Sequence, residues 1–273
     1  MRRDSYADTL RCINRLTEPA LRRAVAAFAP PAGSRGLDAG CGVGDRTLIL
    51  AAAVGAAGRV TGLDHSTERL AAARASAGGT TPVAPVHLVA GDIRTLPFDD
   101  GSFDWVWSAD VLWPHLVIDD PVAAVRELAR IVRPGGEMGL AYWSGQSLLC
   151  GHPELEARLT AAFAETAPYL AGVPPAHQHM RALGWFREAG LEHAVARSFV
   201  ADLRATAGAR PREAIARCFT MLWGGLEPHL SARDWQDYRR LCDPSSPDSL
   251  LDDADYHGSI TYTLFQARVP DET

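Results

Sequence analysis

From Arg35 to Trp143, short apolar runs alternate with longer segments rich in Ala, Leu and Arg at helical spacing. That alternation predicts βαβ units on a parallel sheet. Strands are expected near 35–39, 59–63, 86–90, 103–108 and 137–143, with helices near 45–54, 66–76 and 120–132 between them. The punctuation agrees: Gly55 and Gly58 stop the first helix, Ser66 with Arg69 and Leu70 opens the second, and Pro134-Gly135-Gly136 ends the third. Ahead of this core, Leu10, Ile13, Leu16, Leu21, Val25 and Phe28 recur at roughly helical spacing and predict one or two helices over 4–28. Behind it, helices are expected at 153–167, 177–189, 211–222 and 231–242, with a strand at 192–203 and a Pro/Ser/Asp loop at 243–253. From Ser259 to Val269, Ile260, Tyr262, Leu264 and Gln266 alternate with Thr261, Thr263, Phe265 and Ala267, the period of a strand.

Composition narrows the chemistry. Among 273 residues 27 are basic and 33 acidic, a formal charge of −6, and every basic residue is Arg. The absence of lysine excludes Schiff-base and pyridoxal-phosphate chemistry, the P-loop lysine and the protein-kinase lysine. An acidic balance without a dense basic cluster argues against a nucleic-acid partner. The weakly polar stretch Leu48 to Gly58 is far short of a membrane span, and the start MRRDSYADTL lacks the apolar region of a signal peptide, so a cytoplasmic location is expected. Cys12, Cys41, Cys150, Cys218 and Cys242 are odd in number and form no C-x-x-C pair, which predicts neither a disulfide framework nor a zinc site.

Three strand ends carry the motifs. Leu37-Asp38-Ala39-Gly40-Cys41-Gly42-Val43-Gly44 runs from a strand through alternating glycines into a helix, a turn on which a ligand can lie directly against main chain. It reads G-x-G-x-G, not the G-x-G-x-x-G of a dinucleotide fingerprint. Val60-Thr61-Gly62-Leu63-Asp64 ends in an acid able to accept both hydroxyls of a ribose. Val89-Ala90-Gly91-Asp92-Ile93 offers Asp92 to an exocyclic amine and Ile93 to a ring, although an Asp after Gly is more often a cap.

Together these residues resemble the class I S-adenosylmethionine-dependent methyltransferases, in the group that acts on small molecules. LDAGCGVG, TGLD, AGDIRTLPFDDGSFDWVWS and RELARIVRPGGEMGLAYW stand in that family's order over roughly 35–143. The resemblance implies an α/β, Rossmann-like, doubly wound and mostly parallel seven-stranded sheet with an antiparallel last strand, SITYTLFQARV, plus an N-terminal helical lid and helical cap insertions. It implies a single methyltransferase domain over 1–273: a lid at 1–30, a cofactor-binding core at 31–143, a cap insertion and helix at 144–189, and the last two strands at 190–273 with a helical insertion at 204–258. By the same resemblance Gly40, Cys41, Gly42 and Gly44 form the loop beneath S-adenosyl-L-methionine, and Asp38 orients that loop near the ammonium group. Asp64 holds the ribose, His65 lies against the adenine, Asp92 and Ile93 receive it, and Ser108 and Ala109 offer backbone carbonyls to the ammonium. S-adenosyl-L-homocysteine would be the product.

The acceptor side is less marked. His115 and Asp110, after the fourth strand, are the candidate bases; a lone His there is more often structural, and Asp110 is equally suited to pairing with an arginine. His177-x-His179 invites a metal reading, which the helical pattern there and the lack of an acidic cluster oppose. Phe219, Trp223, Trp235, Tyr238 and Tyr256 suit a cap over a flat apolar substrate, a dimer contact or a small satellite core. Tyr142 and Trp143 are placed to line the same pocket, and Tyr6 to close over the cofactor. Arg11, Arg181 and Arg217 are the arginines expected to meet an anionic substrate. The expected function is methyl transfer to an O or N atom of a small molecule, in bacterial secondary metabolism, by a monomer or homodimer with neither membrane nor nucleic-acid partner. The alternative keeps the cofactor but catalyses a cyclisation or isomerisation, or serves as a binding subunit. A nicotinamide dehydrogenase is disfavoured by G-x-G-x-G and by the lack of a Tyr-x-x-x-Lys pair.

Overall fold

The computed structural model describes residues 6–78, 82–205 and 208–271, with the side chains of 6, 77 and 78 left out. The expectation for Tyr6 therefore lies outside the described residues. Its contacts divide the chain into two compact units, one of residues 20–143, 173–199 and 262–273 and one of residues 1–19, 144–172 and 200–261.

The N-terminal pattern forms one helix, α1 (Tyr6–Phe28), which continues through Pro19. The alternating core then gives β1 (Arg35–Ala39), α2 (Asp45–Val54), β2 (Arg59–Asp64), α3 (Thr67–Gly78), β3 (Val86–Ala90), β4 (Phe103–Ala109), α4 (Pro121–Arg130) and β5 (Val132–Ser147). With β6 (Glu192–Leu203) and β7 (Gly258–Arg268) the strands make one sheet in the order β3-β2-β1-β4-β5-β7-β6, mostly parallel, with antiparallel pairing at its last strands. β1, β2 and β4 are buried on both faces, as in a parallel sheet covered by helices. In β4, Trp105 and Trp107 turn to one face, where Phe28 meets them edge-on at 5.8 and 5.4 Å. Val106 turns to the other face, among Leu37, Leu140 and Leu128. Gly36 lies directly beneath the Trp105 indole, which leaves no room for a Cβ.

Two boundaries differ from expectation. Asp120 caps α4 by accepting from Val122 N and Ala123 N at 2.8 and 3.2 Å, with Pro121 in the first turn where its missing N–H is harmless. The helix nevertheless ends at Arg130, because Val132 already pairs with Phe103. Pro134-Gly135-Gly136 is thus not the helix stop but a bulge inside β5: Phe103 pairs with Val132 and Trp105 with Glu137. Gly135, at φ +70°, is the left-handed residue of that bulge. The second difference is 177–189. The expected helix begins only at α6 (Ala182–Glu188), after two short 3-10 turns at Pro175–His177 and His179–Arg181.

The unit of residues 1–19, 144–172 and 200–261 has its own core. It contains α5 (Pro153–Thr166), α7 (Ala209–Trp223) and α8 (Ala232–Cys242). Phe219 stacks on Trp223, and the Tyr238 hydroxyl donates to the Phe219 carbonyl at 3.3 Å. Tyr256 is fully buried and donates to the Leu148 carbonyl at 3.1 Å. Arg158 on α5 pairs with Asp234 on α8 at 2.9 Å. The inserted aromatic residues are therefore largely the interior of this unit; Trp235, stacked on Tyr238, is the partly exposed member. No helix among the described residues is long and apolar enough to cross a membrane.

Candidate functional site

The site grows from the end of β1. Gly40 N and Cys41 N both donate to the Leu63 carbonyl, at 2.7 and 2.9 Å, so the turn after β1 is tied to the end of β2. Gly40, Gly42 and Gly44 have φ of +84°, +55° and +85°, conformations that side chains oppose. Two of the three are needed for packing as well: a Cβ on Gly40 would strike the Val111 methyl groups, and one on Gly44 would come within 2.9 Å of the Ala73 Cβ. Gly42 differs, since nothing among the described residues lies within 4 Å of a Cβ built there. Its N–H donates to Asp64 Oδ2 at 2.9 Å. The loop is thus fixed from beneath and open above.

Parallel register gathers an acid near the carboxyl end of four strands: Asp38 one residue before the end of β1, Asp64 at the end of β2, and Asp92 and Asp110 just beyond β3 and β4. Each carboxylate has a partner. Asp38 is buried and accepts from Thr47 Oγ1 on α2 at 2.6 Å; burial raises its carboxyl to about 6, against the pull of that hydrogen bond. Asp64 is buried and pairs with Arg69 at 2.9 Å while also accepting from Ser66 N at 2.8 Å. Asp92, 40% exposed, is held down to about 2 by the side chain and N–H of Arg94. Asp110 pairs with Arg46 of α2 at 2.7 Å. The lysine-free chain meets the repulsion of these acids with arginine, whose fork serves a carboxylate and a carbonyl together.

The remaining predicted residues fall as follows. Cys41 is buried, and burial with the charges of Asp38 and Asp64 pushes its thiol up, so it is no thiolate nucleophile. His65 is exposed beside Arg69. Ile93 is 5% exposed and belongs to the core with Leu63 and Leu96, a part of the wall more than an open face. Ser108 donates its hydroxyl to the Ala39 carbonyl at 2.8 Å, tying β4 to β1. The Ala109 carbonyl already accepts from Arg46 Nη1 at 2.6 Å, which leaves one lone pair for a ligand.

The two expected bases differ in their surroundings: Asp110 is engaged by other side chains, and His115 is exposed. Asp110 Oδ2 accepts from Arg46 and from the Tyr262 hydroxyl at 2.8 Å, and Oδ1 from Trp143 N at 2.8 Å. That carboxylate, accepting three hydrogen bonds, organises the loop after β4, and Trp113 Nε1 donates to the Asp110 carbonyl at 2.7 Å within the same loop. His115 is exposed at φ +62°, its N–H bonded to the Ile118 carbonyl at 3.0 Å. Arg11 and Arg217 pair with acids of their own helices, Asp8 and Glu213, whereas Arg181 is exposed on the second 3-10 turn. Sequence reasoning missed Arg46, Tyr262 and the role of Arg69. His179, for which the sequence offered only a disfavoured metal pairing with His177, packs its ring against Trp113 and Tyr142, at 4.9 and 5.2 Å between centres.

A Rossmann-like sheet with a glycine turn and an acid at successive strand ends defines a domain that binds a nucleoside cofactor at its carboxyl edge. Residues 37–136 match the family model of the methyltransferase domain, and over that stretch the chain is similar to class I S-adenosylmethionine-dependent methyltransferases. It is 41% identical to a demethylmenaquinone methyltransferase of Staphylococcus haemolyticus over 104 residues, 38% of this chain and 41% of that enzyme. The chain therefore spans less than half the length of that relative. Among solved structures, it resembles the YcgJ protein of Bacillus subtilis, with a TM-score of 0.56 and 18% identity over 93% of this chain and 100% of the other. It also resembles the [4+2]-cyclase SpnF, with a TM-score of 0.52 and 21% identity over 92% of this chain and 81% of that one. At such identities the structural likeness establishes the fold alone. The residues fit the family's cofactor: the main chain at Gly42 is open, with nothing among the described residues within 4 Å of a Cβ built there, and Asp64 lies buried at the adjoining strand end.

Proposed function

We propose that this protein transfers a methyl group from S-adenosyl-L-methionine to an O or N atom of a small molecule. The observation that carries the reading is the glycine loop, pinned to Leu63 and Asp64 yet open above Gly42. The loop and Asp38 hold the methionine end, Asp64 the ribose, and Asp92 with the Ile93 backbone the adenine. The Ala109 carbonyl shares the ammonium. When bound, the cofactor supplies an electrophilic methyl, so the protein's own work is alignment and exclusion of water. The relative from S. haemolyticus is named for a quinone-type acceptor, which supports a planar acceptor here.

Calorimetry with S-adenosyl-L-methionine tests the reading: micromolar binding is expected, and no binding would overturn it. Asp64→Ala is expected to weaken that binding by about 1.5–3 kcal/mol, since it removes charge-assisted hydrogen bonds and frees Gly42 N–H. An unchanged affinity would take Asp64 out of the site. The engagement of Asp110 by Arg46, Tyr262 and Trp143 keeps a second reading, a protein that binds the cofactor without methyl transfer. Release of S-adenosyl-L-homocysteine on turnover decides between the two.

Asp38 adds a pH dependence with a definite sign. Its folded carboxyl, near 6, lies above the ordinary 3.8, so the folded protein holds that proton more tightly than the unfolded chain. The group favours folding below about pH 4, and that contribution is lost as pH rises through 6. A ligand ammonium prefers the ionised form, so cofactor affinity is expected to fall roughly tenfold from pH 7 to pH 5, where about a tenth of Asp38 is ionised. Titrations of the wild type and of Asp38→Asn check this; an equal slope in both would exclude Asp38.

A further inference from the structure

Two buried polar atoms have no hydrogen-bond partner among the described residues although their rings are in contact: Tyr142 Oη and His179 Nδ1. Tyr142, on β5, directly follows Ala141, which pairs with Ala109 at the carboxyl end of β4. His179 comes from the second 3-10 turn, and the Trp113 ring meets both at 5.2 and 4.9 Å. Native interiors seldom leave such groups unpaired, and a pair of them at the site edge signals a ligand. The chemistry is complementary: a phenol hydroxyl donates and accepts, and the unprotonated nitrogen of a neutral imidazole accepts. Burial lowers the His179 pKa, against the charge of Asp110, which keeps the ring neutral. Both segments present apolar surface nearby along the chain, Leu116 after Trp113 and Met180 after His179.

We infer that Tyr142 and His179 form the polar end of the methyl-acceptor subsite, with Trp113 as its wall, and that they receive a hydroxyl carried on a planar ring. The Tyr142 hydroxyl donates to that oxygen, and His179 Nδ1 accepts its hydrogen. An ether oxygen satisfies Tyr142 but offers His179 nothing, so the pair distinguishes a hydroxylated ring from its methyl ether. This deepens the methyltransferase reading and rests on it.

The test uses the full chain saturated with S-adenosyl-L-homocysteine, so that binding is read without turnover. Tryptophan fluorescence or calorimetry compares 2-naphthol with 2-methoxynaphthalene. The naphthol is expected to bind at least about tenfold more tightly, and Tyr142→Phe and His179→Phe are each expected to reduce that ratio to about threefold or less with unchanged homocysteine-product affinity. Tyr142→Phe is also expected to melt no lower than the wild type, because it removes a hydroxyl that bonds nothing in the free protein. Equal affinity for the two probes, a ratio preserved in both variants, or a large drop in the melting temperature of Tyr142→Phe would each overturn the inference. If S-adenosyl-L-homocysteine itself fails to bind, the methyltransferase reading falls first; if it binds and the probes are not distinguished, only the subsite falls.

Discussion

Asp110→Ala is expected to destabilise the protein by about 3–5 kcal/mol, read as a shift of the urea midpoint, because it strands a largely buried guanidinium. Arg46 gives Nη2 to Asp110 at 2.7 Å and Nη1 to the Ala109 carbonyl at 2.6 Å, and both partners of the ion pair are mostly shielded, with side chains 15% and 21% exposed. The same substitution releases the Tyr262 hydroxyl and Trp143 N–H. Backbone strain acts in the other direction. Asp110 has φ +56°, where glycine is at ease, so Asp110→Gly is expected to lose less than Asp110→Ala despite losing the same carboxylate. Asp110→Asn keeps the shape and tolerates the left-handed backbone, and should fall between the wild type and Asp110→Gly. Combining Asp110→Ala with Arg46→Met removes both charges and should recover part of the loss. A loss below about 1 kcal/mol for Asp110→Ala would show that the pair organises nothing.

That network also marks where the chain was hard to read. The βαβ alternation located β1, α2 and β3 to the residue, since each is a short apolar run or amphipathic segment closed by glycine or a charge. The glycine loop and the four acids were legible for the same local reason: each lies at or close to the carboxyl end of a strand. Their partners were not. Arg46 and Tyr262 stand 216 residues apart yet both reach Asp110, a pairing that only the sheet order, with β7 beside β5, brings about. Arg69 was nearer to being legible, for Ser66 opens α3 and Arg69 lies one turn in, close enough for its fork to reach Asp64.

Punctuation misled where one signal serves two structures. Pro134-Gly135-Gly136 reads as a helix stop, and the same residues suit a bulge because Gly135 takes the left-handed conformation and Pro134 needs no ladder donor. Pro174 and Pro175 begin a 3-10 turn, which brings His179 into the aromatic cluster instead of onto a helix face. The aromatic insertion gave no local sign of whether it faces a ligand or a core; Phe219, Trp223 and Tyr256 are fully buried because α5, α7 and α8 need an interior of their own.

The glycine loop separates packing from cofactor binding, and paired substitutions expose the difference. Gly40→Ala meets two penalties: a left-handed φ of +84°, worth about 1–2 kcal/mol, and a Cβ driven into Val111, for which overpacking costs about 1–3 kcal/mol. Val111 directly follows Asp110, so the clash displaces the loop that the Arg46 pair holds. Both the melting temperature and the affinity for S-adenosyl-L-methionine are expected to drop, the affinity by about a hundredfold for some 3 kcal/mol. Gly42→Ala shares the backbone penalty, at φ +55°, but its Cβ meets nothing within 4 Å among the described residues. Its melting temperature should therefore fall less than that of Gly40→Ala, while the new methyl occupies the cradle and lowers affinity for the cofactor to a similar degree. A Gly42→Ala protein that binds S-adenosyl-L-methionine as tightly as the wild type would place the cofactor elsewhere, because a ligand lying on that loop must contact the added carbon.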